Sequence, residues 1–538
     1  MKNMMKYLVI GSLLAFGTSA CADLEVTNQN DADAARALST PGDVLSLIGG
    51  SYNNWFYGNY SYYSAGMALS NAAFQHNAPW ANSGMEKYGR LPRIAFINSI
   101  NDGDYNYMTR SWFYSYRAIA AVADGLKSLA DPEISGALSA NDVSSATAFA
   151  RFVQGISHAT IALLFKEGFV VDETTDLTAA QEPLPYDQLM DVAMGYFDQA
   201  ISEAQGKSWS LPLEWMRAPL SASDFIKVIH SFKARYEAMS ARTVDERKAL
   251  PWSQIISDID AGITSDFVAN YDDDTNWHWD AGAYDTYFGW SEVAYFIWGM
   301  ADQSGRFQQW NSKSLSDKSY QFGDNDPVLI ITPDQRFPQG NTIEEQRASE
   351  SPARYVRIQR PGTETGYTWA RPDRGTWRWS WYKHNRFENY WDNLEYDVIE
   401  IPVVEMNLLK AEGLFYQGNL AGAADIINET RTAAGLNATD ASGTNTSCVP
   451  KLPDSSCGGL FEMLKWEKRV EGTFKGPFAA PWFFDGRGWG DLWKDTWIQL
   501  PIPCGEAQVL QLLPCQSTGG PGGESGAPLS NYHWNGEG

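Results

Sequence analysis

The chain has 538 residues, enough for one large hydrophobic core or two or three ordinary ones. Its 44% hydrophobic and 20% charged residues are the composition of a folded protein and exclude wholesale disorder. The 65 acidic against 41 basic residues give a formal charge of −24, a field that repels phosphate backbones and anionic lipid and argues against a nucleic-acid partner.

The first predicted element is a secretion signal over residues 1–20. Lys2 and Lys6 precede the apolar run YLVIGSLLAF, and Gly17, Thr18, Ser19 and Ala20 follow it. The run is too short to span a bilayer, and no later segment reaches the length of a membrane-crossing helix. Cys21 stands directly behind Ser19-Ala20, an arrangement that resembles a bacterial lipobox with Thr18 in place of the commoner leucine. The expectation is that Cys21 is the acylated, palmitate-type first residue of the mature chain, since several acyl chains anchor stably where one does not. The competing account is an ordinary signal peptide beside a free thiol. The remaining cysteines, Cys448, Cys457, Cys504 and Cys515, permit three pairings; the one closing the shortest loops is Cys448–Cys457 with Cys504–Cys515.

Helical periodicity dominates after residue 100. Phe149, Phe152, Val153, Ile156, Thr160, Leu163 and Leu164 form one stripe, with Asn141 or Asp142 as the expected cap. Leu189, Val192, Ala193, Tyr196, Phe197, Ala200 and Ile201 form a second stripe. A third helix is expected from Ser221 or Ser223 through Phe225, Val228, Ile229, Phe232 and Tyr236, and a fourth from Pro251 through Ile255, Ile256, Ile259 and Ile263. Short connections between amphipathic helices point to antiparallel hairpins. The clearest hairpin spans 403–436: Val403, Met406, Leu409 and Leu414 on one helix, a turn at Gly418-Asn419, then Ala423, Ala424, Ile427 and Arg431, with Gly435 as the stop. Its length is that of a tetratricopeptide-like unit, which must stack on neighbours to bury its face. The fold class read from this is mainly α: a helix-hairpin solenoid with long irregular loops and a few short strands. Residues 271–282 and 303–396 read as loops, 437–458 as a polar insertion, and the Gly/Pro/Ser-rich stretch beginning QSTGGPGGES as a flexible tail over 516–538.

Three blocks in order carry a family resemblance: LEVTNQNDADAARALSTPGDVLSLIGGSYNNW after Cys21, ARFVQGISHATIALLFKEGFVVDE with PLPYDQLMDVAMGYFDQAISEA in the middle, and the 403–436 hairpin followed by WEKRVEGTFKGPFAAPWFFDGRGWGDLW and IQLPIP. Together they resemble the SusD/RagB family of outer-membrane lipoproteins, with Phe474-Lys475 near the family's usual FEG and GPFAAP inserted before Trp482. The resemblance implies one SusD-like domain over 21–538, with an N-terminal region of about 21–240 and a C-terminal region of about 241–515. It further implies a non-catalytic, surface-anchored protein that captures an oligosaccharide and passes it to a TonB-dependent, SusC-like transporter, with the lipid as its only membrane contact.

A pyranose offers apolar C–H faces and equatorial hydroxyls, so its site needs flat aromatic platforms beside carboxylates, amides or arginine. The stretch YDDDTNWHWDAGAYDTYFGWSEVAYFIW over 271–298 supplies both, in Trp277, Trp279 and Trp290 with Asn276, His278 and Asp280. Tyr287, Tyr295 and Trp298 have the spacing of a buried helix face. A second candidate, NAAFQHNAPW over 71–80, offers Asn71, His76, Asn77 and Trp80. A third, around Trp377, Trp379 and Trp381, alternates as a half-buried strand does. The ligand-binding set expected is thus Trp277, Trp279, Asp280, Trp290, Asn77 and Trp80. No GxSxG, HExxH, CxxC or Walker sequence occurs, GRGWGD at 486–491 reads as a turn, and no cofactor or metal is called for. A glycoside hydrolase would need a carboxylate pair, for which Asp280, Asp285 and Glu292 are available near the aromatics; a protein-binding scaffold is the other alternative.

Overall fold

Helix caps set the frame. A computed structural model describes residues 38, 40–78, 80–272, 275–286, 291–315, 318, 328–359, 380–387, 390 and 395–537. Helix α1 (Pro41–Tyr60) is capped by Thr40, whose side chain accepts from the Asp43 N–H, and α2 (Gly66–Ala72) follows it. Helix α3 (Tyr105–Leu129) turns Met108, Trp112, Ile119, Val122 and Leu126 inward. Helix α4 (Ala140–Leu164) is capped two positions before Asn141, the earlier of the expected caps: Ser139 is the N-cap, in a reciprocal capping box with Asp142. Helix α5 (Tyr186–Ala204) and helix α6 (Ala222–Ser240), capped by Ser221, lie where periodicity puts them. Helix α7 (Trp252–Ala261) stops short of Ile263, because the chain turns extended at Gly262.

The long helices pack in succession: α1 on α3, α3 on α4, α4 on α5, α5 on α6, α6 on α7. Small residues set the spacing. A Cβ at Gly58 would lie 2.2 Å from Tyr114 Cβ, so only glycine lets α1 and α3 approach this closely.

Strand β1 (Phe267–Asp272) then crosses to the far half of the chain. A short helix α8 (Asp280–Thr286) follows, and strands β2 (Val356–Ile358) and β3 (Tyr382–His384) pair antiparallel with Arg357 opposite Lys383. Strand β4 (Glu395–Ile401) pairs antiparallel with β1, from Phe267↔Ile401 to Asp272↔Glu395, with a bulge after Phe267. The tetratricopeptide-like hairpin is α9 (Val403–Tyr416) and α10 (Leu420–Ala433), with Gly418 at φ +81° in the turn and Asn419 capping α10. Helix α9 stacks on α7 on one side and on α11 (Leu460–Gly472) on the other. The fold is therefore a mainly α, hairpin-built solenoid with a few short strand pairs. Among the described residues no helix is long and apolar enough to cross a membrane.

Both expected disulfides form, Cys448–Cys457 with Cα atoms 4.7 Å apart and Cys504–Cys515 at 5.2 Å. Two expectations are corrected. GRGWGD is not a free turn: its first residues end helix α12 (Pro481–Trp489), and Gly490 supplies the left-handed cap. The tail described over 516–537 is packed, not a flexible linker. Thr518 bridges to Phe96 and Gly526 to Trp497, and Trp534 is 2% exposed with its ring 5.3 Å from Phe296. The glycines that suggested a linker let this backbone lie against Trp497, and the aromatic residues beyond them anchor it in the core. The Cys21 anchor lies outside the described residues.

Candidate functional site

Helix α3 has two faces. The inward one is core; the outward one carries Tyr107, Arg110, Phe113, Tyr114 and Arg117, spaced as helical neighbours. Tyr57 on α1 and Tyr62-Tyr63 in the link to α2 meet it. Tyr63, 49% exposed, stacks on Tyr107 with ring centroids 6.0 Å apart and planes 10° from parallel. The Arg110 guanidinium sits over three rings, 4.6 Å from Tyr57, 5.6 Å from Tyr63 and 4.5 Å from Tyr114, and its Nη2 donates to the Tyr114 hydroxyl at 3.2 Å. Cation–π contacts of this kind hold an arginine in place while leaving ring edges and hydroxyls to solvent.

The face continues into the predicted regions. Tyr57 lies 5.3 Å from the His278 ring, and Tyr62 4.7 Å from Tyr284 on α8. Asp280 Oδ2 accepts from the Tyr62 backbone N–H at 2.9 Å and lies 3.8 Å from His278 Nδ1. The Tyr62 hydroxyl accepts from Asn82 Nδ2 at 2.6 Å, and burial pushes its pKa up. Trp80 is half-buried with Tyr62 and Tyr284 on a small cluster of Met67, Ala78 and Met85. Among the predicted residues, Asp280 and Trp80 therefore join one surface with His278.

Trp277 and Trp279 do not form an exposed platform. Trp277 is 5% exposed and stacks on Tyr271 at 5.9 Å, with Tyr52 and Phe56 beside it. Trp279 is 2% exposed, edge-on to Phe387 and Tyr390, beneath the Lys475 ammonium at 5.2 Å. The acidic context suggested a solvated loop. The Trp277 N–H donates to Asp272 O at 3.0 Å, and Asn53 on α1 donates to Asn276 O at 3.1 Å; these bonds fold the segment back onto α1 and drive both indoles inward. Trp290, like Trp377 and Trp379, lies outside the described residues, while Trp381, Tyr295 and Trp298 are buried.

Asn77 is buried beneath the face. It exchanges backbone hydrogen bonds with Glu292 at 2.8 and 3.1 Å, an antiparallel bridge that sets the two residues opposite each other. Among the described residues neither the Asn77 side-chain amide nor the Glu292 carboxylate has a hydrogen-bond partner. Burial raises the Glu292 pKa well above the usual carboxylate range, against the pull of Lys383 and Arg357. A carboxyl group this enclosed is not placed to act with Asp280 across a glycosidic bond. No cluster of three or more His, Cys, Asp or Glu side chains suited to a metal ion occurs among the described residues.

Sequence reading missed Tyr57, Tyr62, Tyr63, Tyr107, Arg110 and Tyr114. The available signal was the aromatic and arginine spacing on α3, opposite its core stripe, together with the YSYY run at 60–63.

No protein-family model matches the sequence, and no curated protein matches it. Solved structures do. A SusD-like carbohydrate-binding protein from Bacteroides vulgatus is similar at 13% identity over 92% of this chain and 94% of that one, with a TM-score of 0.53. A SusD superfamily protein from the same species is similar at 15% identity over 85% of this chain and 89% of that one, with a TM-score of 0.49. At these identities the likeness is one of fold.

Proposed function

With the SusD-like fold as premise, we propose that this chain is a cell-surface lipoprotein that captures an oligosaccharide on the tyrosine–arginine face and hands it to a TonB-dependent, SusC-like transporter. The observation that carries the reading is the half-exposed ring set of Tyr57, Tyr63, Tyr107 and Tyr114 around Arg110, continuous with Trp80 and Asp280. Ring faces match sugar C–H faces, while the arginine, the tyrosine hydroxyls and the Asp280 carboxylate match sugar hydroxyls. Binding asks no bond to be made or broken. The anchor is assigned to the acylated Cys21. The B. vulgatus structure is of a carbohydrate-binding protein, which supports a glycan as the cargo class.

The test is a glycan array followed by calorimetry on the hits, with Arg110→Ala as the control. Saturable binding that Arg110→Ala weakens supports the site. Release of reducing ends from the bound glycan would replace capture with hydrolysis, and binding indifferent to Arg110→Ala would move the site elsewhere.

A further inference from the structure

A small, partly enclosed cavity of about 20 Å³, room for one water-sized occupant, lies between α6, α9 and the segment that runs from α11 to α12. Arg235, Glu405, Lys468, Lys475 and Asp485 line it. Most of their charge is already matched. Glu405 accepts from Arg235 Nε at 2.7 Å and from Nη2 at 2.6 Å; Asp485 accepts from Arg247 at 2.9 Å and Lys468 at 3.2 Å; Lys468 also donates to Glu412 at 2.8 Å.

Two donors are left over. Among the described residues Lys475 Nζ, on a side chain whose residue is 3% exposed, has no hydrogen-bond partner, and neither has Arg235 Nη1, which lies 3.8 Å from Glu400 Oε1. Arg386 adds a positive charge near Lys475, partly offset by the Glu400 and Asp266 carboxylates, and donates to the Val470 and Glu471 carbonyls at 3.0 Å. Lys475 is otherwise held by rings, 4.5 Å from the Phe387 centroid and 5.2 Å from that of Trp279. A buried charge of this kind calls for a counter-charge, and a buried donor for an acceptor.

We propose that this cavity is a halide site, occupied by a single chloride ion that accepts hydrogen bonds from Lys475 Nζ and Arg235 Nη1. A water molecule could accept from both nitrogens, but it would leave the ammonium only partly compensated, by the Glu400 and Asp266 carboxylates; a monovalent anion meets both demands in the same volume. Burial, then the neighbouring Arg386 charge, pull the Lys475 pKa down to about 7, against the opposing pull of the Glu400 and Asp266 carboxylates. Lys475 also lies over the Trp279 ring, so an ion that fixes the ammonium supports the 275–286 segment that carries Asp280.

Crystals of the full chain grown in bromide test the assignment by anomalous scattering, beside melting curves in chloride and in gluconate at equal ionic strength. The expected results are an anomalous peak within hydrogen-bond distance of both nitrogens and a chloride-specific rise in Tm of about 1–3 °C. Lys475→Met should abolish both. Density without anomalous signal at that position means water and overturns the proposal, as does a chloride increment that survives in Lys475→Met. Should that variant fail to fold, the bromide peak in the unaltered chain decides alone.

Discussion

Replacing Tyr63 and Trp277 separately by alanine distinguishes a surface platform from a core ring. Tyr63 is 49% exposed, and its ring contacts among the described residues are with Tyr62, Tyr107 and Arg110. Removing one stacking ring from a sugar site should cost about 0.5–1.5 kcal/mol of binding, roughly a two- to twelvefold loss of affinity. Its effect on stability should stay within about 0.5 kcal/mol, as for other surface substitutions. Trp277 is 5% exposed with three aromatic neighbours on α1 and β1, so Trp277→Ala should cost about 3–5 kcal/mol of folding stability. Unfolding entropy scales with length, and for 538 residues that loss corresponds to a fall in Tm of about 3–5 °C. Calorimetry of oligosaccharide binding and of thermal unfolding reads both quantities. The reasoning fails if Trp277→Ala weakens binding with its melting point unchanged, or if Tyr63→Ala melts early and binds normally.

Other outcomes follow from chemistry already described. Mass spectrometry of the N-terminal peptide should show a diacyl- or triacyl-glyceryl group on Cys21; an unmodified thiol there would remove the anchor. Glu412 is held at a pKa of about 2, against burial, by Arg247 and Lys468, so its roughly 3 kcal/mol of stabilisation is present above about pH 4.5 and drains away as pH falls toward 2. Glu412→Gln should flatten stability across that window, which acid titration of unfolding reads directly. Burial lowers the His158 pKa to about 4, so the unfolded chain takes up this proton first and stability should decline as pH drops from about 6.5 to 4; His158→Gln should lose that slope. Cys448→Ser should lower stability by about 2–3 kcal/mol in the chain-entropy account, measured by denaturant titration.

What the sequence disclosed depends on how local the signal is. The α4, α5, α6 and α9–α10 stripes were legible because a helix's apolar period is written within one segment, and the disulfides because short loops favour neighbours. The Trp277 and Trp279 environment was not. Their burial is decided by Asn53 on α1 and by the turn bond to Asp272, and only the first of these is remote in sequence; composition around them reads as solvated. Packing of the tail was hidden for a related reason. Glycine gives the same composition to a free linker and to a backbone pressed against Trp497. The tyrosine face was half legible: α3 shows its outward aromatic stripe, but its meeting with Tyr57 and Tyr63 needs the close approach at Gly58.

In a solenoid each hairpin packs on its neighbours, so a platform built on the first helices is positioned relative to the rest by the contacts that cross between them. Arg235 on α6 supplies one. It holds Glu405 at the start of α9 with two hydrogen bonds and donates to the Glu400 carbonyl at 2.8 Å at the end of β4. The Glu400 carboxylate in turn accepts from the Tyr60 hydroxyl at 2.9 Å, where α1 ends, and from the Tyr271 hydroxyl at 3.0 Å on β1. Tyr271 backs Trp277, and Tyr60 precedes the Tyr62-Tyr63 pair that faces Arg110. Burial raises the Glu400 pKa, against the Arg235 charge and both tyrosine bonds, so this link is not a cheap source of stability. Its value lies in geometry: each member has one set of partners, and any shift of α9 relative to α1 would leave a buried charge unmatched. Tyr60→Phe removes a single hydroxyl from that chain. It should therefore loosen the tyrosine face, weakening glycan binding more than it lowers Tm, and equal binding in the variant would show that the face is fixed by packing alone.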